Sequence, residues 1–297
     1  MFKNLNTEAL GLSTGQSELI ELALSFGFRG VDLDVVDFSA QVKEQGLPKA
    51  RRLLDSAKLK IGAFKLPVRW QADDETFKDD LQKLPELIGP AVEIGAARAI
   101  TNIEPASDER PYHQNFEFHR QRLGQLAKAL EPKGVRLGVG FSAVAADRAG
   151  KAFEFIHTFD ALTMLLGMTP ADNLGVVVDL WQLWASGGSI DLVRKLKTQQ
   201  IVAVYVSDVA DPGAEPEKQP IATRRLPGET GTIDVAAALA LLAEMGYAGP
   251  VTPLPDSSQF AGLRRDAIVK LAGEKLDAAW KAAGLSPSGK LAASAGR

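Results

Sequence analysis

A carboxylate closes the apolar run in Asn173-Leu174-Gly175-Val176-Val177-Val178-Asp179-Leu180-Trp181-Gln182. Leu174 to Val178 is short, apolar and rich in β-branched residues, the composition of a strand buried on both faces of a parallel sheet. An acid at the carboxyl end of such a strand stands where α/β folds gather their chemistry, which makes Asp179 the first candidate site residue. The same position also suits a cap that binds loop amides, and both readings remain open. Comparable punctuation recurs along the chain. Asp34 ends Gly30 to Asp34, Lys65 ends Lys60 to Lys65, Glu104 follows Arg98 to Ile103, and Asp208 closes Ile201 to Asp208, which also contains Tyr205. Asp179, Glu104, Lys65 and Tyr205 are the groups able to serve as a general acid or base. Gln182, Asp208, Asp34 and the loop residue Arg225, beside Arg224, are candidates for binding substrate, and Trp181 offers an aromatic face for stacking. Lys65 is equally suited to a structural ion pair with Asp34 or Glu104.

These residues need elements to bring them together. Short apolar strands alternate with amphipathic helical stretches throughout. The expected strands are Leu10 to Leu12, Gly30 to Asp34, Lys60 to Lys65, Arg98 to Ile103, Val135 to Val139, Leu174 to Val178, Ile201 to Asp208 and Pro250 to Leu254. The expected helices include Ser13-Thr14-Gly15 to about Phe26, Leu47 to Lys58, Asp74 to Gly95, Asn115 to Lys133, one ending near Leu166, Ile190 to Leu196, Val235 to Met245 and Leu263 to Ala283. Strict alternation of eight strands and helices predicts an α/β fold, a (β/α)8 TIM barrel, with the carboxyl ends of all strands meeting at one mouth. The long loop after Asp208, containing Arg224-Arg225-Leu226-Pro227-Gly228-Glu229, is expected to act as a lid or binding loop. A single domain over 1–284 and a disordered polar tail over 285–297 follow.

The 297 residues carry a net charge of −3 with scattered basic groups, so neither nucleic acid nor an anionic membrane is an expected partner. No apolar stretch reaches the ~20 residues of a membrane span and the first residues are not a signal segment, so a soluble, cytoplasmic protein is expected. The absence of cysteine excludes disulfides, thiolate zinc sites and a cysteine nucleophile. His113, His119 and His157 are read as loop or packing residues.

Gly27 to Asp34 (GFRGVDLD), Asn173 to Trp184, Val204 to Val209, Leu226 to Asp234 (LPGETGTID) and Met245 to Val251 together resemble the xylose-isomerase-like barrels, which include sugar isomerases, sugar epimerases and sugar-phosphate isomerase/epimerase proteins. The resemblance implies a divalent metal held by Glu, Asp, His and Glu at the carboxyl ends of strands five to eight, polarising the oxygens of an open-chain sugar. This chain departs from that pattern. Asp179 matches, but Gly140 stands where the first Glu is expected, Gln182 where a His commonly follows the Asp, Tyr205 or Ser207 where the strand-seven His belongs, and Leu254 where the second Glu belongs. No metal and no other cofactor is therefore expected, with a relocated divalent site the less favoured alternative. Three functions fit: a metal-independent isomerase, epimerase or lyase on a carbohydrate or sugar phosphate; a catalytically silent relative that binds such a ligand or serves as a partner subunit; and a metal-dependent isomerase/epimerase with relocated ligands. The partner in each is a small carbohydrate-like molecule, and homo-oligomerisation is left open.

Overall fold

In the computed structural model, which describes residues 1–292 except 212 and 214, eight parallel strands close on themselves. They are β1 (Phe2–Leu5), β2 (Gly30–Val31), β3 (Lys60–Ile61 and Phe64–Lys65, interrupted at Gly62-Ala63), β4 (Arg98–Asn102), β5 (Arg136–Gly140), β6 (Leu174–Asp179), β7 (Ile201–Val206) and β8 (Pro250–Pro253). Each pairs with its successor, and β1 pairs with β8 through Phe2 opposite Pro250 and Lys3 opposite Val251. The chain is thus a TIM barrel.

The helices are α1 (Gln16–Ser25), α2 (Val35–Gln45), α3 (Leu47–Ala57), α4 (Asp74–Glu93), α5 (Tyr112–Leu130), α6 (Phe159–Gly167), α7 (Leu180–Ala185), α8 (Ile190–Arg194), α9 (Val235–Glu244) and α10 (Arg265–Ala282). Side chains alternate across each strand. In β6, Val176 and Val178 join the large apolar core, while Val177 and Asp179 border the mouth cavity.

Three sequence expectations need correction. The first strand is Phe2–Leu5, and Leu10 instead ends a short 3-10 turn, Glu8–Leu10. The single helix expected after β2, Leu47 to Lys58, is α3, and it is preceded by an unanticipated helix, α2, from which Gly46 at φ +80° separates it. The supposed tail is folded through Ala292: Leu285 bridges to Leu291, Trp280 Nε1 donates to the Ser286 carbonyl at 3.1 Å, and the amino terminus donates to the Gly289 carbonyl at 3.4 Å. Residues 293–297 lie outside the described ones. Among the described residues no helix is long and apolar enough to cross a membrane.

Candidate active site at the barrel mouth

Asp179 ends β6 and begins α7. Its Oδ1 accepts from the backbone N–H groups of Trp181 at 3.0 Å and Gln182 at 3.3 Å, the geometry of an N-cap. Its Oδ2 accepts from Arg224 Nη2 at 2.7 Å, within an ion pair whose side chains are only 13% and 4% exposed. Arg224 belongs to a two-residue strand, Arg224–Arg225, paired antiparallel with Asp208–Val209, and this hairpin carries the long loop across the mouth. The guanidinium lies 4.8 Å from the Trp181 ring centroid. Trp181 is fully buried, so its face supports Arg224 and is not presented to a sugar.

Tyr205 stands directly opposite Asp179 in the β6–β7 register, and Thr252 opposite Tyr205 in the β7–β8 register. Burial pushes the Tyr205 phenol well above its ordinary value, and the nearby charges of Asp32, Asp179 and Glu8 push the same way. The phenol therefore stays protonated, able to donate a hydrogen bond. Asp179, Gln182, Tyr205 and Arg224 border a cavity of about 380 Å³, completed by Glu8 and Ala9, Asn102 with Gly140 and Phe141, and the segment Leu254–Ser257.

Of the residues anticipated from the sequence, Asp179, Gln182, Tyr205 and the loop arginine Arg224 come together at this cavity, and Asp34, Lys65, Glu104, Trp181, Asp208 and Arg225 do not border it. Asp34 is an exposed cap of α2, accepting from Val36 N and Asp37 N. Asp208 is fully buried and accepts from the amides of Val209, Thr230, Gly231 and Ile233 and the Thr230 hydroxyl, so it anchors the Leu226 to Asp234 loop. Arg225 Nη1 donates to the carbonyls of Ala222 and Arg224. Lys65 and Glu104 are exposed and do not border the cavity.

Sequence reasoning missed Glu8 as a site residue. Misplacing the first strand at Leu10 put Glu8 outside the barrel, whereas a strand ending at Leu5 puts it on the first loop of the mouth. It also missed Asp32, one residue beyond β2. Asp32 Oδ1 accepts from Asn4 Nδ2 at 2.7 Å and Ala63 N at 2.7 Å, and Oδ2 from Asn6 Nδ2 at 2.9 Å. Desolvation pushes its carboxyl up to about 6 against these three hydrogen bonds. Asn6 Oδ1 in turn accepts from Ala9 N, linking the buried acid to the cavity wall.

A family model for xylose isomerase-like TIM barrels matches residues 20–269. The chain belongs to this family. It is 26% identical over 135 residues to the inosose isomerase of Bacillus subtilis (strain 168), a match spanning 44% of this chain and only 43% of that relative. In three dimensions it is similar to a xylose isomerase domain protein from Alicyclobacillus acidocaldarius subsp. acidocaldarius, with a TM-score of 0.84 at 23% identity, covering 95% of this chain and 98% of that one. It is also similar to the IOLI protein, whose crystal structure holds a zinc atom, with a TM-score of 0.77 at 16% identity over 96% and 98% of the two chains.

The xylose isomerase-like frame invites a test of whether a divalent ion fits this mouth, and the donors present do not suit one. Both Asp179 oxygens are already engaged, one by the cap and one by Arg224. A Cβ on Gly140 would lie 2.2 Å from Asn102 Oδ1, so the Asn102 carboxamide occupies the space a strand-five side chain would enter. Gln182 Oε1 is turned to the Ala143 N–H at 2.7 Å, and Leu254 adds only hydrocarbon. Among the described residues no group of three or more His, Cys, Asp or Glu side chains is arranged to hold an ion. A hard cation needs several oxygens converging on one point.

Proposed function

We propose that this xylose isomerase-like barrel binds a carbohydrate-sized, polyhydroxylated molecule in its mouth through side-chain hydrogen bonds, without a divalent ion. The observation that carries the reading is the Asp179–Arg224 ion pair, which borders the cavity and uses up the one acid remaining at the family's ligand positions. A cavity of about 380 Å³ has the size of a small-molecule site, and its mixture of carboxamide, phenol, carboxylate and hydrocarbon suits the alternating polar and apolar faces of a sugar or cyclitol. The isomerase relative, named for inosose, is consistent with that ligand class. The test is calorimetric titration with neutral ketoses, aldoses and cyclitols. Saturable binding that Tyr205→Phe weakens about tenfold is expected, as for loss of one hydrogen bond in a partly desolvated site. Binding unaffected by substitutions at Tyr205, Gln182 and Glu8 would move the ligand elsewhere.

A second reading, metal-independent proton transfer, is favoured by one further arrangement. The protonated Tyr205 phenol can donate to a carbonyl oxygen while Glu8, which forms no ion pair among the described residues, borders the same cavity as a base. Incubating a confirmed ligand in heavy water tests it. Deuterium at the carbon beside the carbonyl, lost in Glu8→Gln, supports an enzyme, and an unexchanged ligand leaves the binding role.

A further inference from the structure

The proposed ligand class still spans neutral sugars, sugar phosphates and sugar acids, and the charges around the mouth discriminate among them. TIM barrels commonly hold phosphate at the loops after strands seven and eight, using the N-terminus of a short extra helix. Here the short helical segments that follow strands six and eight at the cavity already carry an acid on their first amides. Asp179 occupies the start of α7, accepting from Trp181 N and Gln182 N. Asp256 occupies the start of the 3-10 turn Ser257–Phe260 after β8, accepting from Ser258 N at 3.0 Å and from the Ser258 hydroxyl. The amides that would cradle a phosphate are taken by side chains.

Side chains do not make up the difference. Among the described residues bordering the cavity Arg224 is the only cation, and its charge is matched by Asp179 at 2.7 Å. Glu8 and Asp256 add two further carboxylates on the wall without a cation of their own there. Asp32, one residue beyond β2, adds its negative charge to the surroundings of the Tyr205 phenol. Lys65 and Arg225, the cations the sequence offered, stand off the cavity, and Arg225 is occupied with the carbonyls of its own loop. An anionic ligand entering this space meets uncompensated negative charge and finds no unpaired cation on the described wall, whereas hydroxyls can bond to carboxylates and to the phenol without a charge penalty.

From this arrangement we infer that the mouth selects neutral polyhydroxylated molecules and excludes their phosphate esters and carboxylic acids. The inference rests on the proposed carbohydrate-binding role. It names as determinants Glu8 and Asp256, together with the neutralised Asp179–Arg224 pair.

Matched pairs separate the two claims. Calorimetry on the full chain would compare D-fructose with D-fructose 6-phosphate, myo-inositol with myo-inositol 1-phosphate, and D-glucose with D-gluconate, at low and at high salt. The expected result is that the neutral member of a binding pair is held at least tenfold tighter, with the gap narrowing as salt screens the acids. Glu8→Gln and Asp256→Asn should each shift the affinity ratio toward the charged member by ~3-fold to ~10-fold, since each removes one nearby like charge. Asn at 256 retains a helix cap, which guards against unfolding. Equal or tighter binding of a phosphate or acid overturns the charge selection while leaving carbohydrate binding intact. An affinity ratio that does not move in either variant overturns the assignment of the selection to these acids. Silence from both members of every pair removes the carbohydrate role, and this inference with it.

Discussion

Arg224 Nη2 sits 2.7 Å from Asp179 Oδ2, so a guanidinium from the loop after strand seven is locked onto the acid at the end of strand six. The pair fastens the loop after strand seven to the end of strand six. Asp179 cannot be read as either a cap or a site residue alone, because one oxygen caps α7 while the other faces the cation. Removing one partner of a largely buried pair leaves an unmatched charge, which is typically worse than removing both. Arg224→Gln should therefore destabilise the fold by about 3 kcal/mol, or several degrees in Tm. Asp179→Asn keeps the cap but leaves the more deeply buried guanidinium unmatched, and should cost a similar amount. The double substitution should cost clearly less than the sum of the two. Thermal or urea unfolding of the four proteins checks this, and strictly additive losses would mean the two side chains are not coupled.

The donor set at the mouth leads to a prediction about ions. An ion bound at 100 times its dissociation constant stabilises a fold by about 2.7 kcal/mol. Millimolar manganese, cobalt or zinc should leave the melting temperature of this chain unchanged within scatter. A shift that survives in Asp179→Asn would place an ion elsewhere, and one lost in that variant would show that Arg224 yields its place. The Gly140→Glu substitution alone should not create a site, because both oxygens of Asp179 remain engaged by the α7 amides and by Arg224.

Legibility in the sequence followed how each residue is surrounded. Leu174 to Asp179 was readable because a strand covered on both faces must be apolar almost throughout. Phe2–Leu5 was not, because this four-residue strand contains Lys3, which reaches Asp277, and Asn4, which turns into a polar barrel interior toward Asp32 and Thr252. The run at Leu10 to Leu12 looked more like a strand than the strand did. Among site residues, Asp179 and Asp208 look alike on paper, as acids at or beyond the ends of neighbouring strands. Only the tertiary fold separates them, by wrapping Asp208 in loop amides and leaving Asp179 at the cavity. Adjacent arginines are similarly ambiguous: alternation guarantees that Arg224 and Arg225 differ in direction, but not which one faces in.

The position of Asp208 leads to a stability prediction where the sequence suggested a substrate contact. Its carboxylate satisfies four backbone N–H groups and the Thr230 hydroxyl in a fully buried setting. Asp208→Ala leaves the four backbone N–H groups without that acceptor, at a cost of about 3 kcal/mol or more, and should make the 226–234 loop the first site of limited proteolysis. Should the variant keep its melting temperature and its proteolytic pattern, the anchoring role fails.

Asp32 leads to a prediction in pH. Its carboxyl is pushed up to about 6 from an ordinary value of 3.8, chiefly by burial. The unfolded chain therefore ionises at this position first, and between about pH 4 and pH 6 the native state holds more protons than the unfolded one. In that interval the contribution of Asp32 to stability falls as pH rises: it is fully present below pH 4 and lost above pH 6. Two pH units correspond to at most about 3 kcal/mol, and since Asp32 retains some solvent contact a change of ~1–2 kcal/mol is expected. Asp32→Asn removes the titration but also places an N–H against one of the donors from Asn4, Ala63 or Asn6, giving an offset that does not vary with pH. Urea unfolding of wild type and Asp32→Asn at pH 4, 5, 6 and 7.5 isolates the term, because every other acid contributes to both proteins. The wild-type advantage should be largest at pH 4 and shrink through pH 6. An advantage that grows over the same range would mean that the three hydrogen bonds outweigh desolvation and that Asp32 is held ionised in the native barrel.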